Sequence, residues 1–225
     1  MPVSPRRALG AVVAVVGLVL VVLGGWIVVQ LGPSGEARFS AISKAPGAIV
    51  VTSDVLNTVD VPVRVTATRR DRGAVRLAAA PSTDARAILA TSAVSTVSGM
   101  HYPAGTMDLR ASGSGALTDI STADVWRLAS RGAGSAGLVV DQGRGPETVV
   151  VTSGDATALT DVTVTLTWAD RAWFFEALAA ATIGAVIAAF ALNDLWQGRV
   201  ITAQSGVAGT RASRGRHDPR RHDRR

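Results

Sequence analysis

The sequence predicts a mainly β protein in which an antiparallel β-sandwich-like domain with one short helix is flanked by two transmembrane α-helices. Three observations support this prediction. Ala8–Leu31 is a stretch of 24 residues without a charged side chain, and residues 172–192 form a second apolar stretch. Between them, apolar and polar residues alternate in short runs separated by glycine, serine and proline, a pattern typical of half-buried strands.

The first predicted transmembrane helix, residues 8–31, follows a short basic N-terminus, residues 1–7, that we expect in the cytoplasm. With a rise of about 1.5 Å per residue, the helix is long enough to cross a bilayer. The apolar run exceeds that of a signal peptide and no A-x-A cleavage site follows it, which favours an uncleaved anchor over a cleaved leader. Small residues recur near one face of this helix, where they allow close helix packing: Gly10, Ala14, Gly17 and Gly24.

Residues 33–170 form the predicted β domain. Apolar residues at every second position of 61–67, a polar turn at 69–73 and a second alternating run predict a hairpin. Residues 82–91 predict the one helix, with Ser82 or Thr83 as its N-cap. The clearest strand is 162–168, which places valine, leucine and tryptophan on one face and threonine on the other. Many short strands separated by turns favour an antiparallel sandwich over a parallel α/β sheet.

The second predicted transmembrane helix spans residues 172–192 and begins with the aromatic run 173–175, which is typical of a membrane interface. Glu176 is expected at interface depth, where a helix N-terminus favours negative charge; a buried functional carboxylate is the alternative. Ala180, Gly184 and Ala188 repeat every four residues. They form a second small-residue face suited to the glycine face of the first helix.

The distribution of charge predicts the topology. The formal net charge is +6, yet residues 32–171 carry equal numbers of basic and acidic side chains, so the excess lies at the two ends. By the positive-inside rule, both termini are cytoplasmic and the central domain is extracytoplasmic. Residues 193–225 are expected to be a basic, disordered cytoplasmic tail. Its arginines are expected to contact anionic membrane lipids: Arg211, Arg214, Arg216, Arg220, Arg221, Arg224 and Arg225.

Catalysis has little support in the sequence. The predicted outer domain has one histidine, His101, the chain has no cysteine, and no G-x-S-x-G nucleophile elbow occurs. Serine and aspartate are plentiful, however, so a Ser–His–Asp triad stays open by composition. The enzyme alternative is therefore a hydrolase with His101 in a cleft beside a serine and an aspartate.

No metal site or cofactor is assigned from the sequence. The aspartates of the β domain are scattered through its turns without the D-x-D-x-D-G spacing of a calcium-binding loop. An irregular calcium site in a loop is the alternative to solvated turn residues. The aspartates concerned are Asp54, Asp60, Asp119, Asp124, Asp155 and Asp161.

Aromatic residues are few in the predicted outer domain: Phe39, Tyr102, Trp126 and Trp168. Trp168 lies on the apolar face of its strand and is expected in the core, as is Trp126. Sugar-binding sites usually expose aromatic rings, so a carbohydrate site requires Tyr102 or Trp126 at the surface. These two residues are the candidates for a ligand or partner surface.

Three stretches carry a resemblance of layout and composition: PSTDARAILATSAVSTVSGM at 81–100, DVWRLASRGAGSAGLVVD at 124–141 and GPETVVVTSGDATALTDVTVTLTW at 145–168. With the arginine-flanked anchor ending in GGW and a second span, the chain resembles uncharacterised two-span membrane proteins of actinobacteria that carry an extracytoplasmic β-rich domain. The resemblance implies the two-span topology. It implies no catalytic signature and transfers no functional residue.

The sequence therefore predicts a non-enzymatic cell-envelope membrane protein that acts as an interaction or accessory module. The expected partners are membrane lipids and another membrane or envelope protein. An envelope glycan- or lipid-binding protein is the alternative function. No nucleic-acid partner is expected, because the basic excess lies in the terminal segments and the outer domain is neutral.

Overall fold

The computed structural model describes residues 5–116, 120, 123–141, 143, 145–154 and 159–211. In chain order the elements are α1 Pro5–Leu31, β1 Glu36–Ser43, β2 Ala48–Val51, α2 Ser53–Leu56, β3 Val63–Arg69, β4 Ala74–Pro81, α3 Ser82–Leu89, β5 Val94–His101, β6 Thr106–Ser112, β7 Leu128–Ala133, β8 Ser135–Val140, β9 Glu147–Ser153, β10 Val162–Ala169 and α4 Arg171–Arg211. The chain divides into two compact units, a β domain over Gln30–Phe174 and a helical unit from the described parts of Met1–Val29 and Phe175–Arg225.

The helical unit contains two helices that are long and apolar enough to cross a membrane, over Ala8–Leu31 and Arg171–Asp194. The helix α4 continues to Arg211, where the sequence predicts a disordered tail. A helix that is already nucleated extends at low cost, and the leucine, glutamine and alanine residues beyond 192 are good helix formers. Residues 212–225 lie outside the described residues.

All the described strands join one ten-stranded sheet in the order β7-β4-β9-β2-β5-β6-β1-β10-β3-β8. The predicted mainly β class is confirmed, but the antiparallel sandwich is not. The sheet is mixed, because β1 pairs with β6 and β2 pairs with β5 in parallel. A period-two pattern indicates which residues share a face of a strand and leaves open which strands are neighbours, which explains the difference.

The sheet curls until it is nearly barrel-shaped. Its first and last strands, β7 and β8, follow each other in the chain and are joined by Gly134 alone. The turn between β3 and β4 fixes this connection: the Arg69 N–H donates to the Gly134 carbonyl at 2.8 Å, and the Gly134 N–H donates to the Gly73 carbonyl at 2.9 Å. The predicted β3–β4 hairpin is wrong, because β3 pairs with β10 and β8, whereas β4 pairs with β7 and β9. Turn residues between two strands fix a reversal of the chain but not the pairing of the strands.

The interior of the curled sheet is a single apolar core. On β10, Val162, Val164, Leu166 and Trp168 point inward and are at most 1% exposed, while the threonines between them point outward. The Trp168 ring meets the Phe39 ring edge-on, with centroids 5.9 Å apart. The prediction that Trp168 is a core residue is confirmed, and the alternation on β10 produces this core in the way the sequence indicates.

A second, smaller apolar cluster covers one outer side of the sheet. There Ala85 and Leu89 of α3 pack with Val150 of β9 and with Ile120. All seven residues of β9 are buried, because the core lies against one face of the strand and this cluster against the other. The helix α3 begins at Ser82 as predicted in position, but Pro81 is its N-cap and no side chain caps it. The prediction of one short helix in the domain is wrong, because Ser53–Leu56 also forms a helix, α2, whose single turn is too short to show a helical repeat in the sequence.

Candidate functional site

In the helical unit, glycines of each helix lie against the backbone of the other helix. A Cβ placed on Gly17 would lie 2.7 Å from the Ala188 amide nitrogen, and one on Gly24 would lie 2.7 Å from the Ala177 carbonyl oxygen. A Cβ on Gly184 would lie 2.7 Å from the Gly17 carbonyl oxygen. Backbone therefore meets backbone at these positions, as in other helix pairs with small residues at their contact.

Other positions of the two predicted small-residue faces are less enclosed. Gly10, Ala14, Ala180 and Ala188 are half-buried. Ala177 and Ala181 lie against Gly24 and belong to neither predicted face. A seven-residue repeat through 177, 184 and 191 identifies the enclosed side of α4 better than the four-residue repeat does, since Ala177, Gly184 and Ala191 are all buried.

The two candidate aromatic residues have different surroundings. Tyr102 is 51% exposed in the β5–β6 connection, with its ring centroid 6.5 Å from that of Phe39. Trp126 is half-buried in the cluster beneath α3, and its Nε1–H donates to the Ile120 carbonyl at 2.7 Å. Tyr102 is therefore a surface residue, whereas Trp126 mainly holds residue 120 in place.

His101 has part of the arrangement that the hydrolase alternative requires. Its Nε2 lies 2.7 Å from the Asp108 Oδ2 at the end of the β5–β6 pair. Both side chains are more than half exposed. Asp108 is the one hydrogen-bond partner of the imidazole within the described residues, so a serine hydroxyl does not complete the arrangement there.

The acidic residues do not assemble into a metal site within the part of the chain that the structure describes. No group of three or more histidine, aspartate or glutamate side chains comes together there. Asp119 and Asp155 lie outside the described residues. Glu176 is exposed on α4. Of the arginines expected at the lipid surface, Arg211 ends α4 and the others lie outside the described residues.

The strands β1, β10, β3 and β8 form an outer surface that we call the open face. It carries a concave region of about 520 Å³. The register aligns Arg38, Thr167, Arg64 and Val139 in one row across the four strands. Since neighbouring strands are about 4.8 Å apart, the two arginines lie roughly 10 Å from each other with a threonine between them.

The two arginines of the open face differ in their partners. Arg38 forms an exposed ion pair with Glu36 at 3.2 Å. Arg64 has no ion pair or hydrogen bond to a described side chain. The open face therefore carries an exposed, unneutralised guanidinium, which is a suitable donor for a carboxylate. This row was not predicted, because its residues are far apart in the chain and only the strand order brings them together.

A second concave region, the α3 groove, measures about 420 Å³ and lies beside α3, with residues of β2 and β5 in its lining. Its apolar lining includes Val50, Leu89 and Val94. Ser53 and Thr96 add hydroxyl groups to this lining. Ser82 and Thr148 add two more, and the Thr148 Oγ1 donates to the Ser82 Oγ at 2.9 Å. Asp54 of α2 and Arg86 of α3 contribute opposite charges to the same lining.

The most tightly bonded ion pair of the described domain lies in the β3–β4 turn. The buried Arg69 guanidinium donates to both oxygens of Asp71, at 2.9 and 2.6 Å, and the Gly73 N–H donates to one of them at 2.9 Å. Hydrogen bonding by Arg69, then by the Gly73 amide, holds the pKa of Asp71 below its usual 3.8. This pair is structural, since it orders the turn that fixes Gly134.

Comparisons of the chain with protein-family models, with curated proteins and with solved structures find no match.

Proposed function

We propose that this chain is a two-span cell-envelope membrane protein whose β domain is a non-enzymatic interaction module. Both termini are cytoplasmic and the domain is extracytoplasmic. The proposal is supported by the two apolar helices, one at each end of the domain in the chain. It is also supported by the excess of basic residues in the segments 1–7 and 193–225, which the positive-inside rule assigns to the cytoplasm.

The open face is the observation that carries the proposal. One outer side of the sheet is covered by α3 and its apolar cluster. The two short helices of the β domain, α2 and α3, lie against β4, β5 and β9, so neither covers the outer side of β1, β10, β3 and β8. Ile42 and Val139 point outward there and are 62% and 46% exposed. Exposed apolar residues beside polar ones on an uncovered sheet are typical of a surface that contacts another protein.

The charge of the open face indicates the chemistry of the partner. Arg64 and Arg38 supply two guanidinium groups in one row, and Glu36 neutralises one of them. The net charge of this row and its neighbour Glu36 is positive. We therefore assign the face to a protein partner with an acidic segment, because complementary charge both selects a partner and accelerates its association.

Site-specific photo-crosslinking in native membranes tests this assignment. A photoreactive residue at Val139 is expected to give one reproducible adduct with a second protein, and Arg64→Glu is expected to reduce its yield several-fold. Arg110→Glu is the matched control, because Arg110 is exposed on β6, outside the open face. An adduct unchanged by Arg64→Glu, an adduct between two copies of this chain, or no adduct at all would overturn the assignment.

Envelope glycan or lipid binding is the second candidate, and the exposure of Tyr102 favours it. An exposed phenol ring stacks on sugars and inserts at lipid headgroups. Retention of the full chain on insoluble peptidoglycan, or on phosphatidylglycerol vesicles, should be lost in Tyr102→Ala and kept in Tyr102→Phe. Equal retention of both variants would exclude a role for the ring.

A further inference from the structure

We infer that the α3 groove binds a short zwitterionic peptide, with its carboxylate at Arg86 and its ammonium group at Asp54. The inference concerns a surface separate from the open face and does not rest on the function proposed for that face. It starts from three properties of the groove: its size, the opposite charges in its lining and its hydroxyl groups.

The size and apolar lining fit a small organic ligand. A volume of about 420 Å³ lies within the roughly 300–1,000 Å³ typical of small-molecule sites. Val50 and Val94 come from neighbouring parallel strands, and Leu89 from α3 lines the same space. These residues provide an apolar surface for aliphatic side chains, which gain affinity when their surface is removed from water.

The two charged residues are available to a ligand. Neither the Asp54 carboxylate nor the Arg86 guanidinium has an ion pair or a hydrogen bond to another described residue, although both line the groove. They belong to different elements, α2 and α3. A ligand with a positive charge at one end and a negative charge at the other would satisfy both, whereas a singly charged ligand would leave one residue unpaired.

The hydroxyl groups indicate a peptide rather than another zwitterion. Ser53, Ser82 and Thr96 contribute hydroxyl groups to the lining of the groove. A hydroxyl both donates and accepts hydrogen bonds, so it can pair with the N–H and with the C=O of an amide. The Ser82 hydroxyl accepts from the buried Thr148 and donates to the Pro146 carbonyl at 3.3 Å, which fixes its orientation. Ser53 and Thr96 are therefore the hydroxyls that can both donate to and accept from a ligand. Peptide groups are the ligand groups that match such a lining.

The experiment uses the full chain in nanodiscs and trialanine as the probe, with binding followed by calorimetry or by NMR shifts. Three further probes isolate the contacts: N-acetyl-trialanine, trialanine amide and free alanine. We expect trialanine to bind and each blocked peptide to bind about tenfold more weakly, which corresponds to roughly 1.4 kcal/mol for each lost charge contact. Free alanine should bind more weakly than trialanine, because it leaves most of the groove empty.

Variants assign each end of the peptide to a residue. Arg86→Gln should weaken trialanine binding about tenfold and leave binding of the amide unchanged, because that peptide already lacks the carboxylate. Asp54→Asn should weaken trialanine binding about tenfold and leave binding of N-acetyl-trialanine unchanged, because that peptide already lacks the ammonium group. Ala90→Trp should block the groove from the exposed end of α3. Arg70→Gln is the matched charge control, because Arg70 is exposed in the β3–β4 turn and lines neither the α3 groove nor the open face.

The inference is overturned if trialanine does not bind at millimolar concentration, if free alanine binds as tightly, or if Arg86→Gln and Asp54→Asn weaken the blocked and free peptides equally. Circular dichroism of each variant confirms that the fold is retained. Failure of this experiment would leave the photo-crosslinking at Val139 unaffected, so the two proposals are tested separately.

Discussion

Gly17 and Gly184 bring the backbones of α1 and α4 into direct contact, since a Cβ on Gly184 would lie 2.7 Å from the Gly17 carbonyl oxygen. No side chain fits between the helices at this point. Gly25, on the same α1, has no atom within 4 Å of a Cβ placed on it. The two glycines therefore provide a matched pair of substitution sites on one helix.

Gly17→Ala should lower the free energy of unfolding in detergent by about 1–3 kcal/mol, because one methyl group forces the backbones apart. Gly25→Ala should leave it unchanged or raise it by up to about 1 kcal/mol, because alanine is the better helix former and meets no neighbour. Titration with a denaturing detergent measures both. Equal effects at the two positions would contradict the close contact.

The join between α1 and β1 offers a second matched pair. Gly32 and Gly35 have similar positive φ angles, 62° and 64°, but a Cβ on Gly35 would collide with the Asp170 carbonyl, whereas one on Gly32 meets nothing within 4 Å. Gly32→Ala should lower the free energy of unfolding only by the backbone strain of a positive φ, about 1–2 kcal/mol. Gly35→Ala should cost more and should weaken the bond from the Asp170 N–H to the Gly35 carbonyl, 3.2 Å in the native protein. Thermal melts of the two variants compare these costs, and similar melting temperatures would contradict the collision.

The Arg69–Asp71 pair predicts a pH dependence of stability. Because the folded protein lowers the pKa of Asp71 below 3.8, the stabilisation is complete above about pH 5 and is lost as the pH falls through the folded value. Asp71→Asn should therefore lower the melting temperature at pH 7, where the buried Arg69 loses its counter-ion. The melting temperatures of the native protein and of Asp71→Asn should become equal in stronger acid.

Asp60→Asn is the control for this experiment, because Asp60 is an exposed aspartate outside the turn. Its melting temperature should follow that of the native protein from pH 7 downward. A constant difference between native protein and Asp71→Asn at every pH would assign the effect to packing rather than to ionisation.

Lys44 allows a direct test of topology, because it is the one lysine of the sequence and is exposed at the end of β1. A membrane-impermeant amine reagent applied to intact cells should modify Lys44 and spare the N-terminal amine. Mass spectrometry of the purified chain locates the label. If the reagent modifies the N-terminal amine and leaves Lys44 unlabelled, the topology is the opposite of the proposed one and the β domain is not extracytoplasmic.

The faces of individual strands could be predicted from the sequence, but their neighbours could not. The alternation in β3 and β10 correctly indicates Val63, Val65, Val164 and Leu166 as inward residues. Strand order, in contrast, depends on contacts between distant segments, such as β1 with β10, which local patterns do not encode. The predicted β3–β4 hairpin is wrong for this reason.

The candidate sites depend on the same long-range order. Arg38, Arg64 and Thr167 meet only because β10 lies between β1 and β3, so their row is invisible in the sequence. Tyr102 and Trp126 are candidates because aromatic residues are rare in the domain, and composition alone does not distinguish the exposed ring from the one bonded to Ile120. The glycines of α1 were easier to identify, because a helix has a regular repeat that places them near one face.

The pairing of β1 with β10 has a mechanical consequence. The chain enters β1 at Glu36 and leaves β10 at Ala169, and these two residues are register partners at one end of an antiparallel ladder of eight pairs. A pull that separates Glu36 from Ala169 loads the ladder at that end, so its bonds break one after another as in unzipping. A pull along the strands loads all of them together in shear. Tension that pulls the chain entering β1 away from the chain leaving β10 would therefore open the domain at low force, starting from the Glu36–Ala169 pair.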